Sequence, residues 1–432
     1  LTNHGKSYTI IIRIIADRRS IMKEKLFSDV ASREGNPSYS LHIQREVPIY
    51  QRRNDIRSPY ERDYTRILHS LAYRRLKHKT QVFFNIDNDH ICTRMEHVQH
   101  VESVSCTIAK FLGLNTDLTR AVAMGHDLGH APFGHEGEIE LTALRKRFGM
   151  DSFWHERNSL RMIDDIEVLE DSEGFSRNLD LTYAVRDGII SHCGEVDSNI
   201  LRPREEFIDL AEFIKPGQFQ PFTWEGCVVK ISDKIAYLGR DIEDAIRLKL
   251  LGRKELAELR RIARDHGENE INTTVIIHNF IISICENSSP ESSIRLSDEY
   301  SQMLNEVRAF NMEKIYLNPK FRYYKEYVAL MIRSIFDFFM EKYKGSDTPY
   351  ALEELSRAYP LMIRDFTQHL YHYSDLTPRS EEDKAEQERF KNKRIYGQLE
   401  TEKIYAQAII DYISGMTDKY AQAAFNELLS YR

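Results

Sequence analysis

Residues 125–138 read Gly-His-Asp-Leu-Gly-His-Ala-Pro-Phe-Gly-His-Glu-Gly-Glu, and no regular helix or strand can run through them. Pro132 has no backbone N–H to donate, and Ala131 before it is pushed out of the α region. The pattern predicts a helix that ends near His126-Asp127, then a tight loop carrying His130 and His135 beside Glu136 and Glu138. Imidazole and carboxylate are both ordinary ligands for a divalent metal. A lone His-Asp pair is ordinarily a satisfied surface pair. Three histidines in a loop punctuated by glycine and proline put metal binding on an equal footing with that reading.

The surrounding chain predicts helices to hold this loop. Ser58-Pro59-Tyr60-Glu61 is a helix start, with Ser as N-cap, Pro at the first position and Glu at N3. Ile67, Leu68, Leu71 and Ala72 follow at helical spacing. Thr93 opens the next helix, which carries His97, Val101, Val104, Ile108 and Leu112 before Gly113 stops it. Residues 118–124 form a short apolar helix that delivers His126-Asp127. His97, on the neighbouring antiparallel helix, is a candidate third ligand; periodicity alone leaves it equally a core or cap histidine. His155, Glu156 and Arg157 stand at another helix start, and 179–192 is amphipathic, ending in His-Cys-Gly. Asp233, Tyr237 and Asp241 recur every four residues and share one helix face. Such a row is ordinarily an exposed face with ion pairs, and the alternative is the lining of a cleft.

Elsewhere the pattern is simpler. Residues 22–60 are polar and read as an extended lead-in, 197–222 as a long excursion and 374–394 as a charged loop. Helices are expected near 273–287, 296–308, 320–343, 350–373 and 395–430. Period-two runs are few, and there is neither a βαβ alternation nor an internal repeat. The expected fold is all-α, a helical bundle core with additional helices and few or no strands. Its expected parts are an extension and lead-in (1–57), a core holding the His-rich loop (58–245) and a helical C-terminal part (246–432).

Composition narrows the function classes. A net charge of −7 over 432 residues leaves no global footprint for nucleic acid. The basic cluster at 62–79 is a candidate for phosphate contact, although a solvated face is the ordinary reading, and the basic stretch 246–270 suits a surface helix pair, a partner site or weak anion binding. Five cysteines without a CxxC pair argue for a reducing, cytoplasmic setting and no disulfide framework. No apolar run approaches the roughly 18 to 20 residues of a membrane-spanning helix. Arg13 interrupts the apolar run 8–15, so a secretory signal is not expected. The stretch from Met22 resembles a natural start, which makes 1–21 an expected upstream extension. No G-x-G-x-x-G and no P-loop occurs, which disfavours a Rossmann or Walker-type site.

The order His97 … His126-Asp127 … Asp233 resembles the H…HD…D signature of the HD superfamily of metal-dependent phosphohydrolases. Five longer strings, in the same order, resemble its deoxynucleoside triphosphate triphosphohydrolase (dGTPase) branch. They are Tyr73-Arg-Arg-Leu-Lys-His-Lys-Thr-Gln-Val-Phe83, Thr93-Arg-Met-Glu-His97, the run from His126 to Glu138, Ser232-Asp-Lys-Ile-Ala-Tyr237 and Asp411-Tyr-Ile-Ser-Gly-Met-Thr-Asp-Lys-Tyr420.

The resemblance implies an HD-domain bundle with a C-terminal part that completes the substrate pocket. It implies one divalent metal (Mg, Mn, Fe, Ni or Zn) held by His97, His126, Asp127 and Asp233. His130, His135, Glu138 and His155 fall at its catalytic positions. Gln81, Arg94, Lys234, Tyr237 and Asp241 match its substrate contacts, and Arg308 and Tyr316 match them more loosely. The implied reaction converts a dNTP, dGTP first among them, to deoxynucleoside and inorganic triphosphate. A homo-oligomer, with single-stranded DNA or a nucleotide as effector, is the implied assembly, and no membrane is involved. The rival readings are another HD phosphohydrolase, acting on nucleotides, cyclic nucleotides or alarmones, and a non-catalytic nucleotide sensor or single-stranded nucleic-acid binder.

Overall fold

The computed structural model describes residues 25–47, 54–83, 88–193, 199–378 and 380–430; the extension expected over 1–21 lies outside them. Within them the fold is all-α. Helix α1 (Pro59–His69) starts in the expected capping box, where the Glu61 N–H donates to Ser58 Oγ and Glu61 Oε2 accepts from the Ser58 N–H. Helix α2 (Arg94–Leu112) starts in a second box built by Thr93 and Glu96. It stops at Gly113, whose φ of +84° is the left-handed cap that glycine adopts at least cost. Helix α3 (Thr116–Gly125) is capped by the Asn115 side chain and ends one residue before His126.

Helices α4 (His135–Arg147), α5 (His155–Arg161) and α6 (Tyr183–Ile190) follow, and then the long α7 (Trp224–Arg247). Val98 and Val101 of α2, Val122 of α3 and Val229 and Ala236 of α7 meet in one core. Three helices carrying candidate ligands are thereby packed side by side. Helices α8 (Arg253–Asp265), α9 (Thr273–Asn287) and α10 (Asp298–Asn311) extend a neighbouring core on the other side of α7.

The last part of the chain builds a separate core from α11 (Arg322–Met340), α12 (Pro360–Tyr373), α14 (Glu402–Ser414) and α15 (Asp418–Leu429), with α13 (Glu381–Arg389) beside them. Phe336, Phe339, Phe366 and Ile409 lie at its centre, and Leu141 and Leu144 of α4 insert into it. The helix that follows the His-rich loop is therefore anchored by C-terminal residues.

Several boundaries differ from expectation. The helix expected over 395–430 is two, because the chain turns at Gly415-Met416 and Thr417 caps a new start. The helix expected over 350–373 is a short turn (Thr348–Glu353) and then α12, which opens on Pro360. The expected loop 374–394 contains α13 and strand β5 (Phe390–Lys391). β5 pairs parallel with β2 (Ser176–Asn178), which pairs antiparallel with β1 (Val168–Glu170). Within the expected excursion, β3 (Ile200–Leu201) pairs with β4 (Ile294–Arg295).

The described lead-in is a series of turns with one short helical turn at Tyr39–His42. Phe27 and Ala31 are fully buried, and Glu225 Oε1 of α7 accepts from the backbone N–H groups of both Ser32 and Asn115. A Cβ on Gly113 would stand 2.7 Å from Lys25 Cα and 2.6 Å from Ser28 Oγ. Gly113→Ala therefore meets both a left-handed backbone and a crowded wall. Its expected cost is at least about 1–2 kcal/mol, read as a lower urea midpoint with unchanged slope.

Candidate active site

His97 projects from the first turn of α2, His126 and Asp127 from the end of α3 and Asp233 from the middle of α7. His97 Nε2 lies 3.0 Å from Asp233 Oδ1 and 3.9 Å from Asp127 Oδ2. His126 Nε2 lies 3.6 Å from Asp127 Oδ1 and 3.9 Å from Asp233 Oδ1. The His126 Nδ1–H donates to the Ala123 carbonyl at 2.6 Å, which fixes the tautomer and leaves a lone pair on Nε2. That Nε2 is buried with no hydrogen-bond partner. A buried orphan lone pair facing two carboxylates fits a cation between them. His97, His126 and Asp233 offer ligand atoms within 4.8 Å of one another, as do His126, Asp127 and His192. These His/Asp clusters are positioned to chelate a single divalent metal ion.

Asp127 is the hinge of the electrostatics. The Arg94 guanidinium donates to its Oδ2 at 2.8 Å, and His130 Nε2 stands 3.2 Å from its Oδ1. Burial opposes ionisation of Asp127, but His130 and Arg94 hold its carboxyl well below the usual range. Arg94 also donates to the carbonyls of Thr80 and Gln81, at 3.2 and 3.3 Å, which ties that segment to the metal pocket.

The loop after Asp127 runs in turns to Gly134, and His135 opens α4. His135 and Glu138 are thus helical, in the first turn, and not in the loop. Gly129 lies where a Cβ would be 2.0 Å from the Ser159 backbone N, so the loop rests directly on α5. Phe133 has φ +66°, a left-handed conformation costly for an aromatic residue. Glu138 sits between His130 (Nδ1 at 2.7 Å) and His155 (Nδ1 at 3.1 Å). His135 Nδ1 is more distant, 3.8 Å, and its side chain is 61% exposed.

The rings of His130 and His155 stack at 3.8 Å and 17°. Burial, and then Arg94, lower His130 to about 4. Burial opposes the charge on His155, but Glu156 and Glu138 raise it to about 10. A neutral and a cationic imidazole are therefore stacked beside one ionised carboxylate, an acid–base set next to the metal pocket.

Beyond it, the Tyr316 hydroxyl donates to Asp241 Oδ2 at 2.5 Å. Tyr316 is delivered by a π-helical turn (Met312–Tyr316) after α10, and Arg308 lies in the last turn of that helix. Tyr237 is half-buried, one turn before Asp241 on α7. Gln81 Oε1 is buried with no hydrogen-bond partner and is open to a donor. Lys234 turns its ammonium to Asn199 Oδ1, at 3.4 Å.

Two residues of the site escaped the reading of the sequence. His192 stacks edge-on to His126 at 4.8 Å, with its Nδ1–H on the Ile189 carbonyl. Glu156 lies 3.6 Å from His155 Nε2. His192 ends an amphipathic segment, and nothing in one sequence marks such a histidine as site-facing. Glu156 follows His155 directly, and that adjacency was its only signal.

A bundle in which three helices bring His and Asp side chains to one metal pocket is an HD domain, and residues 94–238 match the HD domain family. The chain is 34% identical over 375 residues to a deoxyguanosinetriphosphate triphosphohydrolase-like protein of Caldanaerobacter subterraneus subsp. tengcongensis, covering 87% of this chain and 86% of the relative. It is 30% identical to one of Clostridium tetani over 88% of each chain. A third relative so described, from Desulfatibacillum aliphaticivorans, is 38% identical over 66% of this chain and 74% of its own. The chain belongs to the deoxyguanosinetriphosphate triphosphohydrolase-like family of HD-domain hydrolases.

The Asp241 carboxyl is raised to about 7, chiefly by burial. Its folded form holds a proton that the unfolded chain has lost, so this group makes stability fall as pH rises from about 4 to 7. In Asp241→Asn that component of the decline is absent, which denaturant titrations across this range can read.

Proposed function

We propose that this chain hydrolyses a dNTP, dGTP first among them, to deoxynucleoside and inorganic triphosphate. The observation that carries the proposal is the buried, unpartnered Nε2 of His126 between two carboxylates, next to the Glu138-centred histidine set. His97, His126, Asp127 and Asp233 hold the metal. When bound, a divalent ion supplies Lewis-acid stabilisation of the phosphoryl charge.

The remaining chemistry falls to this chain's side chains. The leaving 5′ oxygen is strongly basic and needs a proton. His135 donates it, oriented by Glu138 and assisted by the cationic His155. His130 bridges Asp127 and Glu138, which keeps the metal pocket and the proton donor in register. Arg94 and Lys234 offset triphosphate charge. Gln81 takes a donor from the sugar or base edge through its orphan oxygen. Tyr237 and Asp241 meet the sugar, and Tyr316 holds the Asp241 carboxyl while Arg308 completes the wall. A pocket of paired donors and acceptors rejects a misfit hydroxyl because polar groups are left unpaired.

The same proposal includes a homo-oligomer and an effector site for single-stranded DNA or a nucleotide, which light scattering and activation assays test. It also includes a cytoplasmic location, with which five free thiols agree. Among the described residues no helix is long and apolar enough to cross a membrane.

Purified protein incubated with each dNTP and a panel of divalent metals should release nucleoside and intact triphosphate. Pyrophosphate or orthophosphate as product points instead to another HD phosphohydrolase. Salt-sensitive binding of single-stranded DNA with no dNTP turnover points to the non-catalytic reading. Chelation should abolish turnover, and added metal should restore it. His126→Ala and Asp233→Ala should lose metal and turnover while staying folded; turnover by metal-free Asp233→Ala would sink the ligand assignment. His135→Ala should keep metal and substrate but lose about 10²- to 10⁴-fold in kcat.

A further inference from the structure

The segment from Asp411 to Tyr420 contributes nothing to the site directly, yet it touches three segments that do. Asp418, at the start of α15, is 5% exposed. Its Oδ2 accepts from the Thr80 N–H at 2.9 Å and its Oδ1 from the Phe133 N–H at 2.8 Å. Thr80 precedes Gln81, and both their carbonyls hold Arg94. Phe133 is the left-handed residue two positions before His135. One carboxylate thus joins the segment of Gln81 to the arm bearing His135 and Glu138.

Lys79, 2% exposed, makes a second link, donating to the carbonyls of His130 and Ser414, the latter at 2.9 Å. Asp411 makes a third. It accepts from Arg161 at 2.7 Å, at the end of the helix that begins with His155. The backbone groups that Asp418 satisfies are about 50 residues apart in the chain and have no covalent reason to keep a fixed separation. A buried carboxylate accepting two backbone N–H groups is a strong, directional tie.

We infer that Asp418, backed by Lys79, is a positioning residue that sets the catalytic arm against the substrate segment. The inference deepens the proposed triphosphohydrolase reading and rests on it for the kinetic arm of the test. Asp418→Asn keeps the shape but replaces one acceptor oxygen with a donor amide, so one of the two backbone N–H groups loses its acceptor. A small displacement of an acid–base group is felt chiefly in the chemical step.

The test uses the full chain with metal bound. In Asp418→Asn, kcat for the dNTP should fall on the order of 10²-fold, with KM and metal content unchanged. Amide hydrogen exchange should quicken in peptides covering 79–83 and 129–135, and not in α2. Lys79→Gln should act in the same direction. Asp63→Asn serves as control, because Asp63 is an equally buried carboxylate that ties Thr182 and Arg45, away from the site. Assayed well below its melting temperature, it should keep kcat.

Unchanged exchange at 129–135, or a matching kcat loss in Asp63→Asn, overturns the inference. So does loss of metal or fold together with activity in both Asp418→Asn and Lys79→Gln, which would make the contact structural only. If the wild type releases no triphosphate, the functional reading falls, and hydrogen exchange still decides the clamp.

Discussion

Asp127 is 2% exposed and ionised, and an isolated carboxylate in such a place would cost several kcal/mol. It is tolerated because Arg94 and His130 converge on its two oxygens from different directions. Arg94 must come from α2 and His130 from the turn after α3, so the pairing requires those segments to be in place. A cation seated beside His126 Nε2 would add to the same compensation. Much of the local architecture can be read as the scaffold of this one buried charge.

The same logic separates two imidazoles that stack face to face. His130 is close to Arg94 and away from water, so it stays neutral. His155 has carboxylates on both ring nitrogens and stays charged. Identical side chains thereby take different protonation states within 3.8 Å. Glu138 is the shared neighbour, and the cationic His155 maintains its ionisation against burial.

Much of the local structure was legible in the sequence, and the reasons are local. Ser58-Pro-Tyr-Glu61 and Thr93 with Glu96 are capping boxes because side chains three residues apart reach each other's backbone within one turn. Gly113 ends α2 because a Cβ disfavours its φ. The break near His126 and the turns before His135 follow from glycine and Pro132. Boundaries went astray where tertiary partners intervene. α14 and α15 read as one helix, but Asp418 is drawn to Thr80 and Phe133 at a new helix start. The small sheet escaped notice because β5 and β2 are too short for periodicity and are separated by some 200 residues.

Taken alone, the sequence determined the helical class, the interruption at 125–138 and, through resemblance, the reaction to look for. It placed His97, His126, Asp127 and Asp233 on segments whose helical character is a short-range property. Tertiary structure alone decided that His192 and Glu156 join them, that Lys234 turns to Asn199 and that Glu138 lies nearer to His130 and His155 than to His135. Those outcomes depend on distances between groups far apart in the chain and on which of them lose water. Both are settled by packing of the whole bundle, which no local pattern encodes.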